Sequence, residues 1–276
     1  MSLSVNTNIT SMTAQNSLAK TQMALSTSFA RLSSGLRINS AADDAGGLGV
    51  AKSMNAQVRS YAVAERNTND AISMLQTADG GAEQIDGLLT RMRELAVQSA
   101  NGSYSSSDRA NIQAEFQQGQ DEITRVASSV QFNGKNLLSG STATTTFQVG
   151  IGTATSDQIG VTFGGADAGT LGVSSASISV TTAAGALSSI TAIDSALQTL
   201  SAARANFGAG INRFQSTVQN LQSMETNTSA SLSRIEDTDV AKETAALSRN
   251  QVLSQAGAAI LAQANQTPQL AMSLLR

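Results

Sequence analysis

A chain of 276 residues with 41% apolar side chains is long enough to bury a substantial core. Aromatic residues reach only 3%, with no Trp, so the core must be built from Leu, Ile, Val, Met and Ala, and the single proline, Pro268, leaves room for long uninterrupted helices. Without Cys or His the chain has no disulfide, thiol nucleophile, imidazole ligand or usual triad base, and a net charge of −3 with no basic run argues against nucleic acid and against a polybasic membrane anchor.

Residues 1–6 show no basic segment leading into an apolar run, and no stretch approaches the roughly 20 apolar residues of a membrane helix. Neither a cleavable general-secretion signal nor membrane insertion is expected. Residues 1–30 carry one charge, Lys20, while Val5, Ile9, Met12, Leu18, Leu25 and Phe29 supply an apolar face at helical spacing. Next comes Asp43-Asp44, beside Gly46 and Gly47. Adjacent carboxylates there read as a loop-to-helix cap rather than an acid/base pair. A seam then runs through Leu75, Ala78, Ala82, Ile85, Leu89, Met92 and Ala96 in alternating steps of three and four, which is coiled-coil spacing. A further helix is predicted over 107–130, opened by Ser105-Ser106-Ser107-Asp108, with Ile112, Phe116, Ile123 and Val126 inward.

The composition changes at about 141 to Thr, Ser, Gly and Val. Alternation at Phe147, Val149 and Ile151, a turn over 152–157, and Ile159, Val161 and Phe163 predict one β-hairpin. Residues 164–182, with Gly164, Gly165, Gly169 and Gly172, predict an exposed connection with a second weak strand at 177–181. A second seam follows through Ile190, Ile193, Leu197, Leu200, Arg204, Phe207, Ile211, Phe214, Val218, Leu221, Glu225, Thr228, Leu232 and Ile235, without a slip. Such a helix is about 70 Å long at 1.5 Å per residue. Glu236-Asp237-Thr238-Asp239 lacks the glycine and distal acid of a calcium loop and reads as the cap of a helix from Val240.

No charge lies between Arg249 and Arg276, where Leu253, Ile260, Leu261, Leu270, Met272, Leu274 and Leu275 recur in an Ala/Gln background. Both chain ends are apolar enough to need a partner and too short to be stable as isolated helices, so they are expected to fold on assembly. The alternative is that they pack on each other within one chain, which would leave much apolar surface uncovered. The expected architecture is mainly α, a long antiparallel helical bundle or coiled coil formed by the N- and C-terminal halves, with a small β-hairpin insertion. Gly-x-Gly stretches at 47–49, 150–152 and 208–210 complete no phosphate-binding fingerprint. No catalytic, cofactor or metal constellation is found, so the chain is not expected to be an enzyme.

The run Ser34-Gly35-Leu36-Arg37-Ile38-Asn39-Ser40-Ala41-Ala42-Asp43-Asp44-Ala45-Gly46-Gly47-Leu48 resembles the N-terminal signature of bacterial flagellins. So do Arg93-Glu94-Leu95-Ala96-Val97-Gln98-Ser99-Ala100-Asn101-Gly102, Gln131-Phe132-Asn133-Gly134-Lys135, Ser233-Arg234-Ile235-Glu236-Asp237-Thr238-Asp239, and Gln263-Ala264-Asn265-Gln266-Thr267-Pro268-Gln269 with Leu274-Leu275-Arg276, in family order. The resemblance spans nearly the whole chain and implies a short flagellin without large outer domains. It implies a terminal-helix polymerisation core from 1–42 and 236–276, an outer helical domain from 43–140 and 183–235, and the strand-rich insertion 141–182.

The implied function is a structural subunit that self-assembles into the extracellular flagellar filament for motility. Export would run unfolded through the flagellar secretion channel. The implied partners are further copies of the chain, an export chaperone, a filament cap protein and hook-associated proteins. A hook-filament junction protein and a monomeric secreted immune ligand are the alternatives. The polymerisation core would comprise Val5, Ile9, Met12, Leu18, Leu25, Phe29, Leu253, Ile260, Leu261, Leu274 and Leu275. In some flagellins the Arg-Glu-Leu-Ala helix is sensed by a Toll-like receptor, and the matching positions are Arg91, Leu95, Gln98 and Glu115. The sequence departs from the family at Gly47 and Gly49, where Ala is usual, and Gly210 interrupts the second seam, each at a cost of about 1 kcal/mol relative to Ala.

Overall fold

The computed structural model describes residues 7–140 and 143–274, with side chains described as far as 266 and from 144 in the second stretch. Helix α1 covers Ile9–Ser34, α2 Ala45–Ala100, α3 Ser106–Ser129, α4 Ala183–Glu236 and α5 Val240–Leu274. Between α3 and α4 lie two small antiparallel hairpins: β1 (Gln131–Phe132) with β2 (Lys135–Asn136), and β3 (Ala143–Gln148) with β4 (Gln158–Phe163). Asn133 and Gly134 turn the first hairpin with φ of 48° and 76°, the paired left-handed conformation that tight two-residue hairpins require.

The chain divides into two compact units, residues 1–58 with 226–276, and residues 59–225. The dividing points fall inside α2 and α4, whereas the bounds implied by the family resemblance are 42/43 and 235/236. The segment 141–182 lies wholly within the second unit.

The second unit holds the large core. Every member of the α2 seam from Leu75 to Ala96 is buried, as are Ile193, Leu200, Phe207, Phe214 and Leu221 from α4 and Ile112, Phe116, Ile123 and Val126 from α3. Heptad spacing thus predicts the inward faces correctly, and the intervening members Ile190, Leu197, Ile211 and Val218 are half-buried, as the flanks of a seam should be. Arg204 interrupts the seam, and its guanidinium reaches back to α2, to Asp79 at 2.8 Å and Glu83 at 3.9 Å. Gly210 has a packing reason: a Cβ there would lie 3.1 Å from Leu75 Cδ1. Helix α3 opens with a reciprocal capping box in which Ser105 Oγ accepts from Asp108 N while the Asp108 carboxylate accepts from Ser105 N.

The strand-rich segment differs from expectation in three ways. Strand β3 ends at Gln148, so Val149 and Ile151 lie beyond it, Val149 buried and Ile151 exposed. The cause is the Asp157 carboxylate, which accepts from Ala154 N and fills the space beside Gly150 and Gly152, closing the loop before the strands can extend. The 164–182 connection is packed rather than exposed, with Ala166, Ala168, Leu171, Val173, Ile178 and Val180 all buried. No strand forms at 177–181. Side chains from three helices satisfy that backbone instead: Gln113 Oε1 accepts from Val180 N (2.7 Å), Ser99 Oγ donates to Val180 O (2.5 Å), Ser189 Oγ donates to Ser179 O (3.2 Å), and Gln120 Nε2 donates to Val173 O (2.8 Å).

Candidate self-association surface

The first unit is built around the two terminal helices. Asn8 caps α1 by accepting from Ser11 N, and its Nδ2 donates across to Ala264 O at 2.8 Å. Ser11 Oγ donates to Asn265 Oδ1 at 2.8 Å, and at the opposite end Arg31 and Glu243 approach to 4.0 Å. Early α1 therefore meets late α5, and the pair is antiparallel. As far as the described residues reach, α1 and α5 are helical and paired in the single chain, whereas the sequence pattern predicts that the chain ends fold only on assembly. Gly257 lets the helices approach closely, since a Cβ there would lie 3.3 Å from Leu18 Cδ1.

The junction between α1 and α2 is tied to the start of α5. Gly35, at φ 73°, ends α1 in the left-handed conformation that favours glycine, and its carbonyl accepts from Thr238 N. Arg37 N donates to Glu236 O at 2.6 Å, and the Arg37 guanidinium to Ile235 O. The carboxylates that the sequence offers as acid/base candidates are structural here. Asp43 accepts from Asn39 N, Ser40 N and Ser40 Oγ, and the Ser40 hydroxyl bond, before any other cause, holds its carboxyl below the usual range. Asp44 caps α2 at Gly47 N, and Asp239 caps α5 at Lys242 N.

The side chains predicted as one apolar face divide into two stripes. At 100° per residue, Ala14, Leu18, Leu25 and Leu32 share the half-buried side of α1 that meets α5. Ile9, Met12 and Met23 share another direction, well over a quarter-turn away, and are 67%, 56% and 63% exposed. Phe29 is 68% exposed on the flank. On α5, Leu261 faces inward and is half-buried, while Leu253 and Ile260, one heptad apart, are exposed together with Val252. A groove of about 390 Å³ runs between the helices, lined by Ile9, Thr13, Ala14, Ser17, Gly257 and Ile260. Val5 and Leu275 lie outside the described residues, as does the side chain of Leu274. Met23 and Val252 are missing from the predicted set. Met23 was legible, since its eleven-residue spacing from Met12 is very nearly three helical turns.

The residues matched to receptor contacts divide as well. Arg91 is exposed and hydrogen-bonds Glu115 at 2.8 Å and Glu94 at 2.9 Å, bonds that hold the guanidinium pKa above its ordinary value. Gln98 is exposed and donates to the Tyr104 hydroxyl at 3.1 Å. Leu95 is 3% exposed, part of the core of the second unit, and cannot present its side chain to a partner without unpacking.

Comparison with known proteins gives the same direction. Residues 5–144 match the bacterial flagellin N-terminal helical region, and residues 190–275 match the C-terminal helical region. A flagellin of Halalkalibacterium halodurans is 42% identical over 246 residues, covering 89% of this chain and 90% of that one. A flagellar filament core protein of Brachyspira hyodysenteriae is 41% identical over 283 residues, with 99% of each chain covered. Flagellin C of Vibrio cholerae is 36% identical over 376 aligned residues, with 100% of each chain covered.

Proposed function

The chain belongs to the bacterial flagellin family, and from that premise we propose that the apolar stripes its terminal helices leave uncovered are the surface by which copies join into a filament. The chain is a structural subunit of the extracellular flagellar filament and not an enzyme. The junction-protein and monomeric-ligand alternatives are not favoured.

The observation that carries the surface assignment is the exposure of Ile9, Met12, Met23 and Phe29 on α1, together with that of Leu253 and Ile260 on α5. Fully burying one such side chain contributes about 1.5–3 kcal/mol, so a few of them suffice to drive association. With so few charges on the stripes, the term is chiefly hydrophobic, and sulfate strengthens it. The test is sedimentation and electron microscopy of the purified chain in ammonium sulfate with filament seeds, beside a chain lacking 1–33 and 250–276. Filaments from the intact chain alone are expected; equal polymer from both would remove the terminal helices from the mechanism.

The same reading includes a chaperone that covers α5 before export, passage of the unfolded chain through the flagellar channel, a cap protein at the growing tip and hook-associated proteins at the base. A Toll-like receptor would meet Arg91, Gln98 and Glu115, which are solvent-exposed. Alanine at these three positions should lower signalling in a receptor reporter assay without altering the fold.

A further inference from the structure

Two-electron oxidation of this chain has few targets. With no Cys, Trp or His, the eight methionine thioethers are the readily oxidised groups, and their susceptibility follows exposure. Among the described residues, Met74 and Met92 are 4% and 1% exposed, Met54 is half-buried, and Met12, Met23 and Met224 are exposed. Two of those three lie on the outward stripe of α1. They are eleven residues apart and therefore point the same way, about 16 Å from each other along the helix.

We propose that Met12 and Met23 are oxidant-sensitive modification sites whose conversion to methionine sulfoxide stops subunits from joining. This rests on the reading of the outward stripe of α1 as a subunit contact. The sulfur lone pair of each thioether attacks one oxygen of hydrogen peroxide; an S–O bond forms as the O–O bond breaks, and the departing hydroxide takes the proton from the sulfur-bound oxygen and leaves as water. Sulfur is oxidised and peroxide reduced. The product carries a strongly hydrogen-bonding S=O in place of an apolar thioether, and burying it against a neighbouring subunit forfeits the hydrophobic gain and strands a polar oxygen. Assembly itself should then protect both sulfurs, so the free subunit is the vulnerable form.

The experiment treats free subunits with dilute hydrogen peroxide, maps sulfoxides by peptide mass spectrometry, and measures the critical concentration for seeded assembly by pelleting. The expected result is sulfoxide at Met12 and Met23, a critical concentration raised about tenfold or more, and recovery after treatment with both epimer-specific methionine sulfoxide reductases. A Met12→Leu/Met23→Leu chain, compared with itself before and after peroxide, should show a ratio near unity although Met224 is still oxidised. Preassembled filaments should show less sulfoxide at 12 and 23 than free subunits. Unchanged assembly of a chain mapped as oxidised at both positions overturns the modification proposal and leaves the contact reading intact. An equal peroxide ratio in the double variant does the same. Equal oxidation in filaments and free subunits overturns the contact reading itself, and this proposal with it. If the double variant fails to assemble, the reductase arm decides, since repair without recovered assembly is also fatal.

Discussion

Gly47 and Gly49 lie two residues apart at the start of α2, and their surroundings are opposite. A Cβ at Gly47 would collide with the Asp44 carboxylate that caps α2 and lie 2.7 Å from Ile38 Cδ1, while a Cβ at Gly49 would meet nothing within 4 Å. Gly47→Ala should therefore dislodge the cap and cost about 1–3 kcal/mol through overpacking. Gly49→Ala should stabilise by about 0.5–1 kcal/mol by restoring helix propensity. Thermal unfolding of the two variants checks both signs, and a shared direction would show that the cap geometry is not what holds Gly47 in place. The sequence reading assigned both glycines the same cost, because a propensity scale knows nothing of the neighbour three residues back.

Asp108 joins a residue to its helix. The Ser105 hydroxyl bond, followed by the Ser105 backbone bond, holds its carboxyl below the ordinary 3.8. A depressed folded value means the contribution to stability is complete above the ordinary value and lost as pH falls through the lower one. The melting-temperature gap between the parent and Asp108→Asn should be present near about pH 7 and close as the pH drops below the ordinary carboxylate value. A gap that persists in strong acid would mean that packing, not the ionised cap, distinguishes the two.

Elements whose partners lie along one helical stripe were legible from spacing: the α2 and α4 seams, and α3 with its cap. The 164–182 connection was not, because its backbone is satisfied by Ser99, Gln113, Gln120 and Ser189, whose common destination becomes visible only after three helices pack. On α1 the error was of another kind. Leu18 and Leu25 are one heptad apart, while Ile9, Met12 and Met23 form their own series, and a list of apolar positions merges two directions into one face. The division of these apolar residues into an intrachain set and an outward set needed the structure.

For the whole molecule, the two units differ in how much they bury. Phe116, Phe207 and Phe214 are all but fully enclosed in the second, with Phe147 edge-on to Phe214 at 5.6 Å. In the first, among the described residues, Ile38 and Ala51 are the apolar side chains that reach burial. The pairing of α1 with α5 also encloses Ser11 and Ser28, and it leaves Arg31 Nε buried with no acceptor among the described residues. An interface of that kind supports helix but little resistance to opening.

Backbone amides of 9–34 and 240–266 in the free subunit should then exchange with deuterium far faster than those of 71–96, although circular dichroism counts both as helix. If the outward stripes are the subunit contacts proposed above, the contrast should shrink in the filament while the helical signal stays nearly constant. Retained fast exchange in assembled material would show that the uncovered stripes stay uncovered. On that proposal, the double striping of the terminal helices would make polymerisation an event of protection rather than of new secondary structure, and a spectroscopist watching helicity alone would see almost nothing happen.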